Sequence, residues 1–172
     1  MSSFSFKEHA IGPQSIDKTL LILSYEASKV ANCALEIQLY GERGYTSAML
    51  TEISDCISML RYYCELTGQD LEEPNTSIKG EELKVWIDSK QLEGRIYTAV
   101  GDLIRSYHYN TMFGSTLYHL RLETCVANLR RLLRQWCIEH ATTWLVMATL
   151  GEEHYLERMS HLESEGIHVS KD

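Results

Sequence analysis

Only two prolines, Pro13 and Pro74, stand among 172 residues. Proline removes a backbone donor and clashes with the preceding turn, so it forbids a helix interior more firmly than any other residue. Its near absence leaves long stretches free to be helical, and the apolar residues use that freedom. Ile16, Leu20, Leu23, Ala27, Val30, Ala31 and Ala34 recur every three or four positions. They follow Ser15, a good N-cap, and Asp17, an acid in the first turn where the helix dipole favours it. Gly41 and Gly44 end this stripe after Tyr40. Thr46 or Ser47 restarts it, and Leu50, Ile53, Ile57, Leu60 and Cys64 keep the period to about Thr67. Gly68, Pro74, Asn75 and Gly80 mark a loop.

The second half repeats the pattern. A short helical piece is expected over 81–89, followed by a periodic run from Leu92 to Tyr109 and a stop-and-cap pair at Gly114-Ser115. A long amphipathic run then extends from Leu117 to Cys137. Residues 141–150, apolar nearly all round, read as a buried helix, and 151–164 as a separate charged one. No alternation of period two lasts a strand's length. The expected fold class is all-α, a single-domain bundle of about five or six helices: a helix pair over 15–73 and further helices over 80–165.

Charge narrows the partners. Sixteen Lys and Arg against 24 Asp and Glu give a net −8, the wrong balance for neutralising phosphate backbones, so no nucleic acid is expected. No apolar run approaches the roughly 18 residues of a membrane span. The five cysteines (Cys33, Cys56, Cys64, Cys125, Cys137) are odd in number and show no metal-type spacing. With no secretory signal at the start, a reducing cytoplasmic setting is expected. A Gly-rich phosphate loop is absent, and nothing marks an activated Ser or Cys.

Two polar pairs interrupt the first two stripes: Glu26 with Lys29, and Glu52 with Asp55. Residues three apart lie on one helical face, and antiparallel packing across a short link would bring the two faces together. Carboxylates gathered from facing helices make an oxygen cage suited to Mg²⁺, the usual companion of a phosphate substrate.

These residues resemble a known family. Leu23-Ser-Tyr25-Glu26-Ala-Ser-Lys29-Val30, Glu36-Ile-Gln-Leu39-Tyr40-Gly41, Leu50-Thr-Glu52-Ile-Ser-Asp55-Cys-Ile57 and Gly68-Gln-Asp70-Leu look like the MazG-like all-α nucleotide pyrophosphohydrolases. The likeness spans about residues 20–73. It implies an ExxE on one helix and an ExxD on the next holding Mg²⁺, with Mn²⁺ as a substitute. That metal would orient a water that cleaves a (d)NTP into monophosphate and pyrophosphate. Glu26, Glu52 and Asp55 would be metal ligands. Lys29 stands where the second glutamate belongs, and an ammonium cannot ligate a cation. Glu36, two turns further on nearly the same face, would be a replacement ligand or base, and Lys29 a phosphate contact. The family's members tend to be dimers or tandem pairs, which implies a homo-oligomer. Two other readings stand beside hydrolysis: a protein that binds a nucleotide or nucleotide signal without cleaving it, and a helical interaction protein.

Three further features belong to the second half. Arg121, Arg130, Arg131 and Arg134 load one helix; Arg130 and Arg134 would clamp phosphate, against the alternative of a solvated basic face. At an offset of 69, Asp55-Cys56-Ile57 falls on Thr124-Cys125-Val126, which suits a degenerate second repeat lacking metal ligands or simply two amphipathic helices of one period. His154, Glu157 and His161 share a face of the last helix, a spacing that suits a transition metal or simply a wet terminal helix.

Overall fold

The structure is a computed structural model that describes residues 15–41, 46–69 and 89–167. Among them are five helices and no strand: α1 (Ile16–Tyr40), α2 (Thr46–Thr67), α3 (Ser89–Phe113), α4 (Thr116–Glu139) and α5 (Trp144–Ser164). The all-α expectation holds. No described helix is long and apolar enough to cross a membrane.

The helix starts follow local chemistry. Ser15 caps α1 by accepting from the Lys18 N–H at 3.1 Å. Gly41, at φ +79°, takes the left-handed conformation that ends it. Ser115 caps α4 and Thr143 caps α5 in the same way, the latter accepting from Val146 N–H at 3.2 Å.

Each helix packs on its neighbour in the order α5–α2–α1–α3–α4, and α4 returns to touch α2. Four helices thus enclose a core, with α5 laid on the outside of α2. That core is built from the sequence stripes: Leu23, Ala27, Val30 and Ala34 of α1 meet Ile53, Ile57 and Leu60 of α2. Leu92, Ile96 and Leu103 of α3 join Leu122, Leu129, Leu133 and Trp136 of α4. Burying each large side chain is worth about 1.5–3 kcal/mol, so the stripe residues dominate the fold's stability.

Two expectations are corrected. The two helices expected over 141–150 and 151–164 are one, because Gly151 does not break α5. A β-carbon there would overlap the Ser54 carbonyl oxygen and stand 2.9 Å from Ser58 Cβ, so glycine is what lets α5 lie against α2. Nor is the first half of α5 buried all round: Leu145 and Val146 are exposed, and only Met147 and Ala148 enter the core. The expected 81–89 piece falls almost wholly outside the described residues, as do both prolines.

Candidate functional site

Helices α1 and α2 run antiparallel, so Glu26 and Lys29 face Glu52 and Asp55 as their spacing implies. One oxygen from each of Glu26, Glu52 and Asp55 lies within 4.8 Å of the others. Among the described residues this is the one group of acidic, His or Cys side chains close enough to share an ion. Glu26 and Asp55 are buried, at 3% and 6% exposure, while Glu52 is half-buried. Two carboxylates in the interior need positive charge beside them, since an uncompensated buried charge costs several kcal/mol.

Protein side chains supply that charge. Lys29 Nζ donates to Glu26 Oε2 at 2.7 Å, lies 2.7 Å from Glu52 Oε2, and stands 4.0 Å from Asp55 Oδ2. The Glu52 contact is an ion pair outside hydrogen-bonding geometry, leaving Oε2 of Glu52 without a hydrogen bond. Arg158, from α5, bridges the two helices: it donates to Glu26 Oε1 at 3.0 Å and to Asp55 Oδ2 at 3.3 Å. His154, one turn earlier on α5, places Nδ1 3.2 Å from Asp55 Oδ1. The cluster therefore joins three helices.

The titration shifts reflect these contacts. Burial disfavours the Lys29 ammonium, but the negative charges of Glu26 and Glu52 beside it outweigh that and hold its pKa above the usual lysine value. Arg158 behaves alike, with Glu26 and Asp55 overcoming desolvation. Burial, then the neighbouring Glu26, push the Asp55 carboxyl up, partly offset by Arg158 and His154.

A small cleft of about 10 Å³, room for about one water, opens beside the cluster, lined by Glu26, Asp55, Ser58, Tyr155 and Arg158 among others. A second charged group lies further along the α2–α5 seam. There Arg61 donates to the buried Glu152 at 3.1 Å and stands 3.7 Å from Glu65. Burial lifts the Glu152 carboxyl to about 7, although Arg61 opposes the shift.

The donor set is the hard-oxygen kind that Mg²⁺ prefers, yet the cluster as arranged does not fit the ion. Both oxygens of Glu26 and both of Asp55 already engage Lys29, Arg158 or His154, and Lys29 Nζ occupies the space between the three carboxylates.

Of the residues singled out from sequence, Glu26, Lys29, Glu52 and Asp55 come together. Glu36 does not join them: it sits half-buried further along α1, where its charge acts on Cys33. Arg130 lies over the Trp144 ring at 5.9 Å and acts on Cys64, about 14 Å beyond Asp55 along α2 at 1.5 Å per residue. Arg134 shares its helix α4, which packs on α3 and makes no contact with α1. Nor do His154, Glu157 and His161 act as one group: His154 turns to Asp55, while His161 faces Glu165 at 3.2 Å.

The arginine that does reach the carboxylates, Arg158, was missed. Its signal was present in the stripe Met147, Gly151, His154 and Arg158, whose spacing marks the face of α5 turned to α2. Comparison with protein-family models, curated proteins and solved structures finds no match to this chain.

Proposed function

We propose that the chain binds a nucleotide or nucleotide-derived phosphoester on its α1–α2 pair without hydrolysing it. The observation that carries this reading is the position of Lys29 Nζ, 2.7 Å from both Glu26 and Glu52. A fixed positive charge among the carboxylates works against a metal cage, and a phosphate would bind by drawing Lys29 and Arg158 from Glu26, Glu52 and Asp55. The resemblance of residues 20–73 to nucleotide pyrophosphohydrolases supplies the ligand class. Arg158 lines the cleft with its side chain 43% exposed, and is the cation a phosphate there would meet. Guanidinium matches phosphate oxygens in a bidentate way and is the natural first contact.

A second reading, Mg²⁺-dependent cleavage of a (d)NTP to monophosphate and pyrophosphate, is favoured by the convergence of three carboxylate oxygens within 4.8 Å. One panel separates the two. Thermal shifts are measured with each nucleoside mono-, di- and triphosphate, with and without Mg²⁺ or Mn²⁺, alongside pyrophosphate release. A ligand at 100 times its Kd raises stability by about 2.7 kcal/mol whether or not it is cleaved. A stabilising nucleotide that survives incubation supports binding. Turnover that Glu52→Gln abolishes supports hydrolysis and ends the first reading. A flat response throughout ends both and leaves a helical interaction protein.

A further inference from the structure

Three carboxylates converge at the α1–α2–α5 junction, and two cations, Lys29 and Arg158, lie among them. Together these cations bring the same two positive charges as one divalent ion. We propose that Lys29 and Arg158 are the resident cations of this cluster and keep Mg²⁺ and Mn²⁺ out of it.

The geometry gives the reason. An octahedral ion demands oxygens at about 2.0–2.1 Å, so an ion shared by the three carboxylates must sit between them. That space belongs to Lys29 Nζ, at 2.7, 2.7 and 4.0 Å from Glu26, Glu52 and Asp55. Ion and ammonium cannot share it. The remaining oxygens of the two buried carboxylates are also taken: Glu26 Oε1 by Arg158, and Asp55 Oδ1 and Oδ2 by His154 and Arg158. Lys29 is held on a second side, with Nζ 5.4 Å from the centre of the Tyr25 ring. Admitting an ion therefore means displacing one buried ion pair and weakening a second, with dehydration of the ion added. Mg²⁺ gives up its waters reluctantly. The exclusion does not depend on nucleotide binding, since it rests only on protein–protein contacts.

The test is a Mn²⁺ titration of the full chain, with free Mn²⁺ read by electron paramagnetic resonance and folding followed by circular dichroism. Wild type is expected to leave the free-ion signal undiminished. Lys29→Glu removes the ammonium and adds a fourth carboxylate. It is expected to bind one Mn²⁺ per chain at least about 100-fold more tightly, the upper end of what neighbouring polar groups change in a metal site. Adding Glu52→Gln should remove that binding, and Lys29→Arg should still exclude the ion. Where Lys29→Glu does not fold, Lys29→Gln, which lacks the added charge, takes its place and is expected to bind more weakly than Lys29→Glu but above wild type. Stoichiometric binding by wild type that Glu52→Gln abolishes overturns the proposal, as does a folded Lys29→Glu or Lys29→Gln that binds no better than wild type. A flat nucleotide panel, in contrast, would sink the nucleotide reading and leave this one standing.

Discussion

Replacing Gly151 by alanine tests how α5 is seated, and with it how Arg158 and His154 reach the cluster. The new β-carbon would overlap the Ser54 carbonyl oxygen and stand 2.5 Å from the Ser54 carbonyl carbon. These are backbone atoms of α2 and cannot rotate aside. To regain van der Waals contact α5 must retreat by about 1 Å. Overpacking of this kind costs about 1–3 kcal/mol, and a clash with main chain belongs at the upper end, about 3. Alanine returns about 1 kcal/mol through its better helix propensity. The net loss is about 2 kcal/mol, equivalent to a fall of about 4–8 °C in Tm for a chain of this size. The same retreat stretches the 3.0 and 3.3 Å contacts of Arg158 beyond hydrogen bonding.

Thermal unfolding by circular dichroism reads the loss, and Gly101→Ala is its internal control. Gly101 also lies within a helix, but a β-carbon there meets nothing within 4 Å, so alanine should add about 1 kcal/mol. The two glycines should thus move Tm in opposite directions. Gly151→Ala melting at or above wild type would refute the close approach of α5 to α2.

Other perturbations probe neighbouring contacts. Glu152 carries a carboxyl lifted from 4.5 to about 7, so between those values the folded chain holds a proton that the unfolded chain has lost. Stability should therefore fall as pH rises through that window, by up to about 3 kcal/mol at 1.36 kcal/mol per pKa unit, and level off above it. Glu152→Gln should flatten this slope in urea titrations at pH 5 and pH 8, and an unchanged slope would count against burial as its cause. Arg158→Ala deprives Glu26 and Asp55 of a partner; breaking a buried pair costs about 3–5 kcal/mol, reduced to about 1–2 here because Arg158 is 43% exposed. Chemical denaturation should show that loss, with Arg158→Lys restoring little because lysine has no fork to bridge two helices. Ala141 holds φ +52° in the turn before α5, a conformation glycine adopts freely, so Ala141→Gly should raise stability by about 1 kcal/mol. A lower melting temperature for that variant would contradict the left-handed turn.

The fold was legible because its information is local. The α1 stripe from Leu20 to Ala34 states both a period and a buried face, and Ser15 and Gly41 state where it begins and ends. The α1–α2 half of the site was legible for the same reason: Glu26 with Lys29 and Glu52 with Asp55 are one-turn pairs on helices joined by a short link. Gly151 misled because a glycine within a polar-turning stretch reads as a stop, whereas its reason is the Ser54 backbone on another helix. Clustering of Arg130 and Arg134 on one helix, by contrast, says nothing of which neighbour that helix meets.

Arg158 stands 103 residues from Asp55, and no local period connects them. Only the packing of α5 on α2 does so. Once that packing is known, the departure at Lys29 has a different weight. Set against the pyrophosphohydrolase pattern that residues 20–73 resemble, a lysine there would be a lost ligand, and a nearby acid such as Glu36 the obvious repair. Beside Arg158 it is one of two counter-ions for three carboxylates, and no repair is needed. A cage that had merely lost a ligand would leave Glu26 and Asp55 facing solvent or each other. Instead both are buried, and every one of their four oxygens has a cationic or histidine partner. Charge balance at a three-helix junction, more than ligand count on one pair of helices, accounts for the residues present.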